Sequence, residues 1–197
     1  MNATDTRDRI LGRMFQDIHK NGFQGLRADR VIADLGITKG ALYHYFPSKD
    51  AIGLAVIEEI IGPTYLSFFR GLEQNQSHPI DLLQSHLHEL GQKATPDDIY
   101  LGCPLNNLVQ EMSPLNEDFR QRLKVVMDGM IHYSARALER GVQRGQVKPD
   151  TDCLAVASFM IAGMEGAYGV AKVQKSLSSF HRNIEQLIQY LDLFRVR

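Results

Sequence analysis

The chain has 197 residues, 44% hydrophobic and 23% charged, with a formal net charge of −1, a length that suits one small domain and one larger one with a sizeable core. Two cysteines, Cys103 and Cys153, are too few for a disulfide framework, and no cationic-then-apolar leader precedes or occupies Asn2 to Arg9, so a cytoplasmic protein is expected. The longest apolar run, Leu154 to Met164, is cut by Glu165 and is too short for a bilayer, so no membrane partner is expected.

In chain order, Thr4 or Thr6 can cap a first helix carrying Ile10, Leu11, Met14, Phe15 and Ile18 at helical spacing, closed by Asn21-Gly22. Val31 and Leu35 share one face of a second helix, which Gly36 stops in the left-handed conformation; Thr38 caps a third. Ile37, Leu42 and Phe46 anchor that third helix. Between them stand Thr38, Lys39, Gly40, Ala41, Tyr43 and His44, small or hydrogen-bonding residues that let the backbone approach a polyanion. Pro47 forces Phe46 out of helical geometry and Ser48 caps a fourth helix, whose positive end holds Lys49, a candidate phosphate contact. A kink is predicted in that helix at Gly62-Pro63.

After the polar loop Gln74 to Pro79, a helix carries Leu82, Leu83, Leu87 and Leu90, followed by a break at Lys93 to Asp98. Pro104 suits the first position of a short helix ending near Met112. One long helix runs from Phe119 to Val142 and stops near Gly145. Asp150 or Asp152 starts the eighth helix, apolar or small on nearly every face from Leu154 to Tyr168, and therefore buried on both sides. The ninth, from about Ser178, places Phe180, Ile184, Leu187, Ile188 and Leu191 on one stripe. No strand pattern competes, and the chain is expected to be all-α: a three-helix DNA-binding domain over residues 1–48 and a six-helix ligand-binding and dimerisation domain over residues 49–197.

Thr38-Lys39-Gly40-Ala41-Leu42-Tyr43-His44-Tyr45-Phe46-Pro47-Ser48-Lys49-Asp50 closely resembles the signature of the TetR (tetracycline-repressor) family of bacterial transcriptional regulators. The detailed resemblance covers residues 6 to 55, and Gly102 to Leu108 is similar to a stretch in the regulatory domain of some subgroups. It implies a homodimer that reads a palindromic DNA operator and is released by a small-molecule effector, most simply as a repressor; the rival reading is a DNA-binding regulator without a small-molecule inducer. Residues 1–50, with eight Lys or Arg against six Asp or Glu, hold a local basic excess in keeping with this. One departure stands out. Family members usually open the second helix with a Thr-Ser pair whose hydroxyls cap it and reach a phosphate, and here Leu26 and Arg27 stand there. Arg27 either supplies a longer phosphate or minor-groove contact or is a solvated residue at a helix start. A two-fold reader of DNA needs a partner, so the eighth and ninth helices are expected to pair across a dimer axis through Phe159, Ile184, Leu187, Ile188 and Leu191.

Other chemistry is sparse. Seven histidines invite a metal reading, but His86 and His88, two apart on a helix, point to different faces and cannot chelate one ion. No phosphate loop, catalytic carboxylate pair or nucleophile elbow is present, so neither an enzyme nor a bound cofactor is expected. Cys103, just before a helix start, is either an activated thiol open to electrophiles and oxidants or a small hydrophobe lining a pocket. Glu165, a lone charge in an apolar helix, either bonds a ligand or finds solvent or a partner chain. Gly102 to Asn107 is expected to border the effector pocket, with Asn106 or Asn107 donating to the ligand. Met130 and Tyr168 either complete the core or line that pocket.

Overall fold

The computed structural model describes residues 3–197, with side chains from Thr6 onward. Its helices are α1 Ala3–Asn21, α2 Ala28–Leu35, α3 Lys39–Tyr45, α4 Lys49–Gly71, α5 Pro79–Lys93, α6 Pro96–Leu101, α7 Pro104–Met112, α8 Glu117–Gln143, α9 Cys153–Gln174 and α10 Leu177–Asp192. Among the described residues the sole extended pairing is an isolated bridge between Val147 and Arg195. The all-α expectation holds. The short α6 occupies the predicted break because Thr95 and Asp98 close a capping box around its first turn; the predicted eighth and ninth helices are therefore α9 and α10. Thr6 lies inside α1, and the side chain of Thr4, the other predicted cap, is outside the described residues.

At Gly62-Pro63, where a kink is predicted, α4 runs on without a break in its helical bonding. Pro63 has no N–H to donate to the turn before it, and α4 widens to a π-helix over Val56–Ile61, where Gly62 N–H donates to Ile57 O. The Thr64 hydroxyl donates to the Ile60 carbonyl at 2.7 Å, and the helix continues to Gly71. By length and composition α4 and α9 could each cross a membrane, a property that the interrupted run at Leu154 to Met164 hid. Half of the apolar window in α4 and 44% of that in α9 is buried within the fold.

Packing divides the chain into two compact units. The first comprises residues 1–64 and 104–125, and the second residues 65–103 and 126–197. In the first, Ile10, Leu11, Met14 and Ile18 of α1 form a core with Val31, Leu42, Phe46, Ile52 and Val56. Gly53 makes room for two rings: a Cβ there would lie 2.4 Å from Phe119 and 2.5 Å from Phe23. In the second, α10 packs against both α5 and α9. Gly163 allows the close approach of α9, since a Cβ would meet Leu187 Cδ2 at 2.5 Å.

This packing covers, within the chain itself, most of the α10 residues expected at the subunit interface. Ile184, Leu187 and Leu191 are at most 6% exposed and belong to the core of their own unit; Ile188 is half-buried and its carbonyl accepts from Gln84 Nε2 at 2.8 Å. The stripe of α10 is consumed by α5 and α9. Phe159, by contrast, is 56% exposed. It belongs to an outward face of α9 that also carries Ala155, Ala162, Gly166, Gly169, Val170 and Val173.

Candidate DNA interface and buried polar site

The helix-turn-helix is built by local capping. Gly36 takes φ 65° and ends α2, as its missing Cβ permits. Thr38 Oγ1 accepts from Ala41 N–H at 3.1 Å to start α3, and Ser48 Oγ accepts from Ala51 N–H at 3.0 Å to start α4. Leu42 and Phe46 point into the core while Thr38, Lys39, Gly40, Tyr43 and His44 remain exposed and Ala41 half-exposed. Ile37 is half-buried. Lys39 Nζ lies 3.9 Å from Asp29 and 6.0 Å from the centre of the Tyr43 ring, so one outward surface presents a cation beside a phenol. A nearly bare backbone at Gly40 and Ala41 lies between them.

At the head of α2 the side chain of Arg27 caps nothing and is exposed. Its backbone N–H is instead received by the buried Asp17 at 3.3 Å, which also accepts from Asn21 Nδ2 at 3.0 Å. Asp17 thus performs the internal part of the task that a hydroxyl pair would perform, leaving the guanidinium outward. Lys49 does not hang free: its ammonium donates to Gln24 O at 3.0 Å and lies 5.0 Å from the Phe23 ring centre. Neither partner was legible beforehand, since Gln24 is 25 residues away.

The second unit contains a buried polar cluster. Glu165 of α9 is 5% exposed, and among the described residues neither carboxylate oxygen has a hydrogen-bond partner. Burial pushes its pKa from 4.5 up to about 7, with the neighbouring Cys103 thiol easing the shift in part. Cys103, 2% exposed, shares a 3.0 Å hydrogen bond with Tyr65 Oη. Burial, Cys103 and Glu165 all push the phenols of Tyr65 and Tyr168 above their ordinary range. Tyr65 carried no sequence signal, because 38 residues separate it from Cys103. Met130 is fully buried in α8 of the same unit. Asn106 and Asn107 belong to the first unit, where Asn106 Oδ1 accepts from Gln110 at 3.4 Å and Asn107 borders a small cavity with Phe15, Ile18 and Leu108.

His86 stacks on Phe68 at 3.8 Å, and burial lowers its pKa to about 4. His88 bonds Gln92 at 3.0 Å. Among the described residues no group of three His, Cys, Asp or Glu stands where it could hold a metal ion.

Residues 16–56 match the family described as bacterial regulatory proteins of the tetR family, and residues 82–187 match the tetracyclin repressor-like C-terminal domain. The chain belongs to the TetR family. An HTH-type transcriptional regulator from the lacX 3′ region of Lactococcus lactis is 29% identical over 186 residues, covering 94% of this chain and 93% of that one. The Escherichia coli repressor NemR is 26% identical over 172 residues, covering 87% and 86%. A TetR regulator from Chloroflexus aurantiacus superposes with a TM-score of 0.85 at 22% identity over 99% of this chain and 98% of that one, and the reduced form of E. coli NemR with 0.82 at 24% over 97% of each. These TetR relatives place the exposed face of α3 in a DNA-binding, transcription-regulating protein.

Proposed function

We propose that this TetR-family regulator is a cytoplasmic homodimeric repressor, released from a palindromic operator by a small molecule held in the second unit, and that it is not an enzyme. The observation that carries the release is Glu165. A buried carboxylate with two unpaired oxygens is costly to a folded protein unless something at times satisfies it, and the phenols of Tyr65 and Tyr168 and the thiol of Cys103 surround it with groups able to orient a partly polar ligand. The repressor reading is supported by two relatives that are themselves repressors, NemR and the Mycobacterium protein DhaR, the latter 25% identical over 191 residues. Thr38, Lys39, Gly40, Ala41, Tyr43 and His44 supply the groove surface and Arg27 an outlying phosphate contact. The exposed apolar face of α9 supplies the subunit contact, which also accounts for the membrane-like composition of that helix. Ligand and operator then bind two populations of the dimer, with reciprocal coupling of about 1 to 3 kcal/mol.

The sensor alternative rests on Cys103. Its burial and its bond to Tyr65 screen the sulfur from reagents in bulk solvent and favour a reversible ligand. The test is a reporter placed behind an operator selected from random duplexes by the purified protein. Wild type silences it; a small-molecule screen finds a compound that relieves silencing in wild type and in Cys103→Ser but not in Glu165→Gln. Absence of silencing removes the repressor reading, and equal induction of Glu165→Gln removes the site. Induction by thiol reagents alone, lost in Cys103→Ser, replaces the ligand with a covalent sensor.

A further inference from the structure

The loop between α1 and α2 is gripped by two charges from opposite sides. Glu111, near the C-terminal end of α7, accepts the backbone N–H of Phe23 through Oε2 at 2.8 Å and that of Gln24 through Oε1 at 2.8 Å. The carbonyl of the same Gln24 receives the Lys49 ammonium at 3.0 Å. One peptide segment is therefore polarised between a carboxylate at its donors and an ammonium at its acceptor, the geometry in which charge-assisted bonds are strongest. Phe23, 2% exposed, drives its ring between Gly53 and Phe119, at 4.7 Å from the latter ring. Gly22, at φ 77°, leaves the carboxylate its approach, since a Cβ there would lie 3.1 Å from both oxygens.

Glu111 is badly placed for its own helix. An anion at a helix C-terminus opposes the macrodipole, so its two donors, not α7, account for its position. The loop it holds is the one from which α2 and then α3 are suspended, whereas Asp17, the other acidic clamp on this loop, comes from α1 itself and ties the loop to nothing remote. α7 begins at Pro104, the residue after Cys103.

We propose that Glu111 is a positioning residue for DNA reading: through Phe23 and Gln24 it joins α7 to the helix-turn-helix, with Lys49 closing the latch from the other side. The inference rests on α3 reading DNA and not on release by a ligand. Lys49 acts here on the protein backbone, so its loss weakens binding without removing a phosphate contact.

The experiment compares Glu111→Gln, Lys49→Met and the double variant with wild type and with Tyr43→Ala, using the selected operator duplex and amide exchange read by mass spectrometry. Each single variant is expected to exchange the Phe23 and Gln24 amides faster and to lose about tenfold in operator affinity, while the dependence of affinity on salt keeps its wild-type slope. The double variant should lose no more than the worse single one, because either change opens the same latch. Wild-type exchange at Phe23 and Gln24 in Glu111→Gln, additive losses, or a Lys49→Met slope lowered by about one unit would each overturn the proposal. Should Tyr43→Ala bind as wild type, DNA reading by α3 fails instead. Lys49→Met leaves α7 untouched and keeps the test valid if Glu111→Gln does not fold.

Discussion

Placing Glu at Phe159 and Val173 together is expected to turn the dimer into a folded monomer and to lower operator affinity by at least about a hundredfold. Phe159 is 56% and Val173 81% exposed in the single chain, so in a monomer both glutamates stay in water and cost little. Across a two-fold axis the same changes bring four carboxylates into an apolar contact, and each unpaired charge removed from water costs several kcal/mol. A dimer that reads two half-sites about 34 to 36 Å apart loses the second reading head when it dissociates. Sedimentation and anisotropy on the selected operator check both effects. Leu187→Glu serves as the contrasting variant: Leu187 is 6% exposed and meets α9 at Gly163, so that change is expected to unfold the second unit rather than separate subunits. A stable dimer in the Phe159/Val173 variant would move the interface elsewhere.

The second large effect is one of pH. The folded chain keeps the Glu165 proton up to about pH 7, whereas an unfolded chain releases it near the ordinary 4.5. Between those values the native state binds more protons than the unfolded state, so the stability this group lends is complete below pH 4.5 and disappears as pH rises to 7, by about 3 kcal/mol. His86, held down to about 4 by burial, acts in the opposite sense between pH 4 and its ordinary 6.5. The clean measurement is therefore the difference between wild type and Glu165→Gln. In denaturant titrations from pH 4.5 to 8 the variant should gain on wild type as pH rises, then hold a constant advantage above pH 7. A difference that does not change with pH would show that Glu165 finds a partner for its charge.

The parts of this molecule that are written locally were legible in the sequence. Gly36, Thr38 and Ser48 each act within about four residues of themselves, Gly36 through its left-handed backbone and the other two through their hydroxyls. The stripe of α10 is covered within its own unit for a physical reason. Phe180, Ile184, Leu187 and Leu191 form a clean amphipathic stripe, and such a stripe states only that it will be covered, not by what. α9, apolar all round, divides its surface between core and exterior according to where α10 settles, and Gly163 lets α10 settle closely. Periodicity has no access to that choice. The same holds for Tyr65 beside Cys103, for Lys49 on Gln24 and for Glu111 on Phe23: each pair is separated by 25 to 88 residues, and no spacing rule connects them.

The central claim, that the exposed face of α3 reads operator DNA, is tested most directly by anisotropy on the selected duplex with Tyr43→Ala and Lys39→Ala, each verified as a folded dimer. Both side chains are exposed, so stability should stay within about 0.5 kcal/mol of wild type. The account predicts at least about a tenfold loss of operator affinity in each, with Lys39→Ala also lowering the salt slope by about one unit as one phosphate contact is lost. Wild-type affinity in both variants would contradict it.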